Sequence, residues 1–198
     1  MVLDAESMHG MIPVVAFIGP SKSGKTTLIE KVVSHLSSKG LAVGTIKHIR
    51  NGDFSIDVSG KDTWRHAEAG ASVVVGAAAR QVVILKKRIS PYQSVEELLD
   101  MVGNEELDVI IIEGFRSLTA SKHDIFKVIL AKTKDDLGEG LKDVVEPIIA
   151  VVGPNVLRVA VPDEKAESFF DIDTEKEKAV MLIAGIVTNA RKRKNLQA

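Results

Sequence analysis

The eight residues Gly19-Pro-Ser-Lys-Ser-Gly-Lys-Thr26 constrain this chain more than any other stretch. They follow the apolar run Ile12–Ile18 and lead into Lys25–Ser38, where Leu28, Val32 and Leu36 share one side and charges take the others. The run predicts a buried strand, and the periodic stretch predicts a helix stopped at Gly40. A glycine-framed turn between the two can curl so that successive backbone N–H groups point inward. The start of the helix brings the positive end of its dipole to the same place. The full pattern G-x-x-x-x-G-K-[ST] in this context predicts a loop that cradles a polyphosphate. Its candidate binding residues are Gly19, Pro20, Ser21, Lys22, Ser23, Gly24, Lys25, Thr26 and Thr27. Lys25 is expected to bridge the β- and γ-phosphate oxygens, and the Thr26 hydroxyl to enter a Mg2+ shell. The bland alternative is a polar turn before an ordinary capped helix.

The remaining text alternates between apolar and amphipathic segments. Strands are predicted over Leu41–Lys47, Ser72–Gly76, Val82–Lys86, Leu107–Ile112, Phe126–Ala131 and Ile148–Val152, with a short edge candidate at Arg158–Val161. Helices are predicted over Lys61–Ala69, over Val95–Val102 with Ser94 and Glu97 at capping-box spacing, and over Thr174–Lys192. This order implies an α/β, three-layer P-loop NTPase fold with a mainly parallel sheet. Ser72–Gly76 and Val82–Lys86 stand too close together for a helical crossover, so they are expected as an antiparallel hairpin on that sheet. Met1–Gly10 reads as a flexible extension ahead of a single domain over residues 11–198.

Bulk properties narrow the partners. A net charge of −1 provides no global field to draw the chain to nucleic acid or an anionic membrane. The absence of cysteine removes disulfides, thiolate zinc sites and cysteine nucleophiles. No stretch approaches the roughly 20 apolar residues of a membrane span, and Met1–Met11 lacks the basic start and apolar core of a signal peptide. A cytoplasmic location is the expectation.

Glu113 closes the apolar run Leu107–Ile112, where a strand end delivers a carboxylate to the ligand crevice of a doubly wound sheet. Two functional readings exist for it, binding Mg2+ through water or orienting an attacking water. The plain reading is a capping or salt-bridged carboxylate. Asp108, at the other end of the same run, is the poorer candidate.

The middle of the chain then becomes specific. Thr45-Ile-Lys-His48, Asp57, Gly60-Lys-Asp-Thr-Trp-Arg65, Ala69-Gly-Ala71 and Ile112-Glu-Gly-Phe-Arg116, taken in order with the phosphate loop, resemble the molybdopterin-guanine dinucleotide biosynthesis protein B (MobB) family. The resemblance runs from about Val14 to Leu130. It implies a dimeric GTP-binding P-loop protein with weak GTP hydrolysis. The expected partner is a molybdopterin guanylyltransferase of the MobA type, which attaches GMP to molybdopterin. By position it singles out Lys47, His48, Asp57, Lys61, Asp62, Arg65 and Glu113. Thr26, Asp57 and Glu113 become the metal candidates, and Lys25 and Glu113 the catalytic ones. Lys61 and Arg65, four apart on a helix, would share a face suited to molybdopterin or its guanine dinucleotide. Surface charge is the competing account of that pair, and a hydrogen-bonded structural histidine that of His48. The chain departs from the family at Ile49-Arg-Asn-Gly, which replaces paired histidines, and around Phe126-Lys127-Val128, where an expected acidic partner is missing.

Thr133-Lys-Asp-Asp136 after a strand fits a relaxed N/T-K-x-D pattern, in which Asp136 would accept from guanine N1–H and N2–H. Trp64 is either packing or a pterin platform, and Arg191–Lys194 complements a helix end more readily than it forms a nucleic-acid patch. Two rivals remain at this level: a small-molecule kinase with Asp57 as base, and a nucleotide-dependent switch.

Overall fold

The computed structural model of the chain describes residues 12–49, 58–103 and 105–195. Asp57 and the extension Met1–Gly10 lie outside the described residues. The chain divides into two compact units, Met1–His48 with Ser94–Ala198, and Ile49–Gln93.

The larger unit is built on six strands in the order β2-β5-β1-β6-β7-β8, every neighbouring pair parallel. These are β1 (Val14–Ile18), β2 (Val43–Lys47), β5 (Val109–Glu113), β6 (Ile125–Leu130), β7 (Ile148–Gly153) and β8 (Phe169–Asp171). From β1 the chain lays β2 two places to one side, β5 later fills the gap between them, and β6 to β8 build outward on the other side. The loop after β1 therefore stands at the switch point, above the C-terminal strand ends. Apolar side chains alternate between two cores because successive residues of a strand face opposite sides. Val15, Phe17, Val128 and Leu130 pack under α1 (Lys25–Ser38) and α6 (Lys176–Asn195). Ile18, Ile129 and Ala131 pack with Leu137 of α5 (Lys134–Leu141) and with Leu157 on the opposite face. The result is three layers, with helices on both sides of the sheet.

Most predicted elements form with small shifts in their ends. Two expectations need correction. Arg158–Val161 is not a strand: Asn155–Ala160 forms a 3-10 helix between Pro154 and Pro162. Its Leu157 is buried while Val156, Val159 and Ala160 are exposed, which breaks the alternation of a strand. The edge strand is the three-residue β8, further along the chain. The hairpin, β3 (Val73–Ala78) and β4 (Gln81–Lys86), is antiparallel as expected, but it forms a two-stranded sheet of its own. It belongs to the second unit with α2 (Asp62–Glu68), where Thr63 stands within van der Waals reach of a Cβ built at Gly76. Val74 on the helix side is buried. Val73, Val75, Val82 and Ile84 on the other side are exposed.

Between β4 and β5, Ser94 caps α3 (Val95–Leu99), its hydroxyl accepting from the Glu97 N–H. Between β5 and β6 lies the short α4 (Arg116–Thr119). Asp108 braces the fold, since its Oδ2 accepts from the Ala42 N–H at 2.8 Å and its Oδ1 pairs with Arg191 Nε at 2.7 Å. Among the described residues no helix is long and apolar enough to cross a membrane.

Candidate functional site

The turn Gly19–Gly24 takes backbone shapes that few residues tolerate. A Cβ on Gly19 would lie 2.3 Å from the Leu130 carbonyl oxygen, so nothing larger fits between the ends of β1 and β6. Gly24, at φ +87°, forms the N-cap of α1, and Lys22 adopts φ +58° without being glycine. Left-handed residues interleaved in this way fold a backbone into a concave nest for anions. Ser23 is buried within the turn, while Ser21, Lys22, Thr26 and Thr27 are exposed. The Lys25 ammonium donates to the carbonyls of Gly19 at 3.0 Å and Pro20 at 2.5 Å, and to Ser23 Oγ at 3.4 Å. The sequence-predicted loop residues are thus brought together as one closed turn at the start of a 14-residue helix.

Strand register brings further groups to the turn. Glu113 at the end of β5 pairs with Phe17 on one side and with Lys47 on the other. Thr26 Oγ1 donates to Glu113 Oε1 at 3.0 Å, and Lys47 Nζ donates to Glu113 Oε2 at 3.0 Å. Lys47 Nζ is also 3.5 Å from Thr26 Oγ1. The Glu113 side chain is 15% exposed and that of Lys47 54%. Two hard oxygen donors, one hydroxyl and one carboxylate, stand side by side. That donor set fits a small oxygen-seeking cation which keeps several waters. Among the described residues no group of three or more His, Cys, Asp or Glu stands together as a metal cage.

His48 packs. Its backbone N–H donates to the Glu113 carbonyl at 2.8 Å, and its ring stacks on Phe115 with centroids 4.5 Å apart and planes 27° from parallel. A Cβ on Gly114 would come within 2.8 Å of the His48 Cβ, and Phe115 itself adopts φ +52°.

Asp136 is the third residue of α5 and closes a capping box with Thr133. Its Oδ2 accepts from the Lys132 N–H at 3.1 Å and the Thr133 N–H at 3.2 Å, and its own N–H donates to Thr133 Oγ1 at 3.1 Å. Lys61 and Arg65 belong to the second unit. Lys61 precedes α2, its carbonyl accepting from the Arg65 N–H, and the Arg65 guanidinium lies 3.7 Å from the Asp62 carboxylate with both side chains exposed. Trp64 is half-buried in the same helix.

One polar residue outside this site went unassigned by sequence reasoning. Lys127, wholly buried in β6, donates its ammonium to the Lys122 carbonyl and, at 3.5 Å, to the Glu146 carbonyl. Burial pushes the Lys127 ammonium down to about 8 despite the nearby Asp124 and Glu146 carboxylates.

A family model described as molybdopterin guanine dinucleotide synthesis protein B matches residues 14–161. The chain belongs to this family. It is 30% identical over 151 residues to the molybdopterin-guanine dinucleotide biosynthesis adapter protein of Haemophilus influenzae, covering 76% of this chain and 80% of that one. The adapter protein of Escherichia coli is 30% identical over 118 residues, 59% of this chain and 67% of the relative. The crystal structure of Bacillus subtilis MobB aligns with a TM-score of 0.66 at 27% identity, covering 87% of this chain and 96% of the other.

Proposed function

We propose that the chain is a GTP-binding adapter in molybdopterin guanine dinucleotide biosynthesis, acting with a MobA-type guanylyltransferase and hydrolysing GTP slowly with Mg2+. The single observation that carries the nucleotide reading is the closed turn of Gly19–Gly24, with Lys25 folded into it and Thr26 bonded to Glu113. Family membership supports the pathway. The names of the relatives support an adapter role.

In this reading Lys25 leaves the carbonyls of Gly19 and Pro20 for the β- and γ-phosphate oxygens. The loop N–H groups and the start of α1 face the same phosphates. Thr26 and Glu113 would hold Mg2+, which when bound would offset charge developing on the phosphoryl group. The other role open to Glu113 is to orient the attacking water. Guanine is read at the C-terminal end of β6 by Asp136, whose Oδ2 also serves the α5 cap. Asp57, Lys61 and Arg65 belong to the same proposal as groups toward Mg2+ and toward the molybdopterin product. Self-association does too. The outer face of the hairpin is apolar and exposed, and a two-stranded sheet requires added cover for stability. A second copy offering the same face would supply that cover in an isologous contact.

Calorimetric titration with GTP, ATP and molybdopterin, with and without Mg2+, tests the reading. GTP is expected to bind more tightly than ATP, and Lys25→Ala to abolish triphosphate binding. Retained affinity in Lys25→Ala defeats the assignment. Asp136→Asn is expected to narrow the GTP preference; an unchanged preference confines Asp136 to its cap. Phosphorylation of an acceptor by GTP or ATP would favour the kinase instead.

A further inference from the structure

Glu113 is shared between two donors, and one of them is a cation. Lys47 Nζ lies 3.0 Å from Glu113 Oε2 and 3.5 Å from Thr26 Oγ1. It therefore stands against both oxygens that the nucleotide reading assigns to the metal. The parallel register sets this placement, since Lys47 and Glu113 are direct partners across β2 and β5. The backbone is fixed just beyond it by the bond from His48 N–H to the Glu113 carbonyl. The Lys47 side chain is more than half exposed on a flexible four-carbon stem, so it can swing away without disturbing the core. Lys25 is otherwise engaged on the loop carbonyls.

We propose that Lys47 is the resident cation of the metal-free site: it neutralises Glu113 and gives up both Glu113 and Thr26 when a divalent cation binds there. The inference rests on the nucleotide reading above. Its physical basis is charge. A carboxylate only 15% exposed, beside an incoming polyphosphate, repels that ligand unless a cation offsets it. Lys47 supplies the offset in the absence of metal. Once Glu113 and Thr26 hold the metal, the ammonium is superfluous to them. Lys47 is on this account a positioning residue whose action passes through Glu113. The dependence of nucleotide affinity on Mg2+ is therefore set by Lys47 as well as by the metal donors.

The test is a double-mutant cycle on GTP affinity, measured by titration calorimetry in EDTA and in Mg2+. Wild type, Lys47→Met, Glu113→Gln and the double variant are compared, with thermal unfolding as a check that each folds. Lys47→Met is expected to weaken metal-free binding about tenfold, the scale of a lost hydrogen bond to a charged group. It should weaken Mg2+-supported binding by less than about threefold. In the Glu113→Gln background the metal-free loss should disappear, and Lys47→Arg should restore wild-type behaviour. An equal loss with and without Mg2+, or the same loss in both backgrounds, would make Lys47 a direct phosphate ligand and overturn the inference. Wild-type binding that vanishes wholly without metal overturns it as well. A wild type that binds no triphosphate under either condition defeats the nucleotide reading itself, and this inference with it.

Discussion

The two units use the same kinds of side chain to opposite effect. In the larger unit β1, β6 and β7 are buried along their whole length, under helices on both faces. In the smaller unit β3 and β4 are equally rich in valine and isoleucine, yet only Val74 is buried. Helix α2 covers one side of the hairpin, and the other stays exposed. The difference teaches that apolar text specifies a strand without specifying a core. Cover decides that, and cover comes from elements elsewhere in the chain or from another molecule.

The contrast can be broken most decisively at Phe17, wholly buried in β1. Phe17→Ala is expected to cost about 3–5 kcal/mol in denaturant unfolding, through lost transfer energy and the cavity left behind. A loss below about 1 kcal/mol would mean that this core is loosely packed.

Next in size is the buried Lys127. Its folded value of about 8 lies below the ordinary 10.5. Between those limits the unfolded chain keeps a proton that the folded chain has released. Stability should therefore rise with pH across that window, by up to about 3 kcal/mol. Below pH 8 the buried ammonium opposes folding in full. Lys127→Met should lack the rise, and a variant that retains it would assign the slope to other groups.

Smaller again is Thr133→Ala, which removes the α5 cap and should cost about 1 kcal/mol. Because Asp136 shares that cap, the same variant shows how much of any Asp136 phenotype is helix stability. The smallest effect is expected at Val75, 57% exposed on the hairpin. Val75→Ala should fall within about 0.5 kcal/mol at dilute protein. A loss above about 2 kcal/mol that grows with protein concentration would show the outer face covered by a second copy.

The parts legible in the sequence are those where local chemistry leaves few options. The phosphate-loop spelling fixes a strand, a turn and a helix, and α1 spans Lys25–Ser38 as the periodicity predicts. β5 is legible because a strand covered on both faces must be apolar throughout. The parts that escape depend on distant partners. β8 is three residues at the sheet edge, paired with β7 through Val151 opposite Phe169. Leu157, Val159 and Val161 alternate like a strand, but prolines on either side set a tight helical turn instead. Thr133-Lys-Asp-Asp136 spells both a base-reading motif and a capping box, and the fold shows the cap formed. The meeting of Lys47 with Glu113, 66 residues apart, follows from register, which neither segment encodes alone.

The C-terminal helix carries a consequence for how this chain is made. Ala179, Val180, Ile183, Ala184 and Val187 of α6 fill the same core as Val15, Phe17 and Leu28, and Arg191 is tethered to Asp108 beside the first residues of β2. During synthesis β1 and α1 leave the ribosome long before α6 does. The earliest segments therefore wait, with part of their greasy surface bare, until the twenty residues of α6 emerge and lock the sheet from behind.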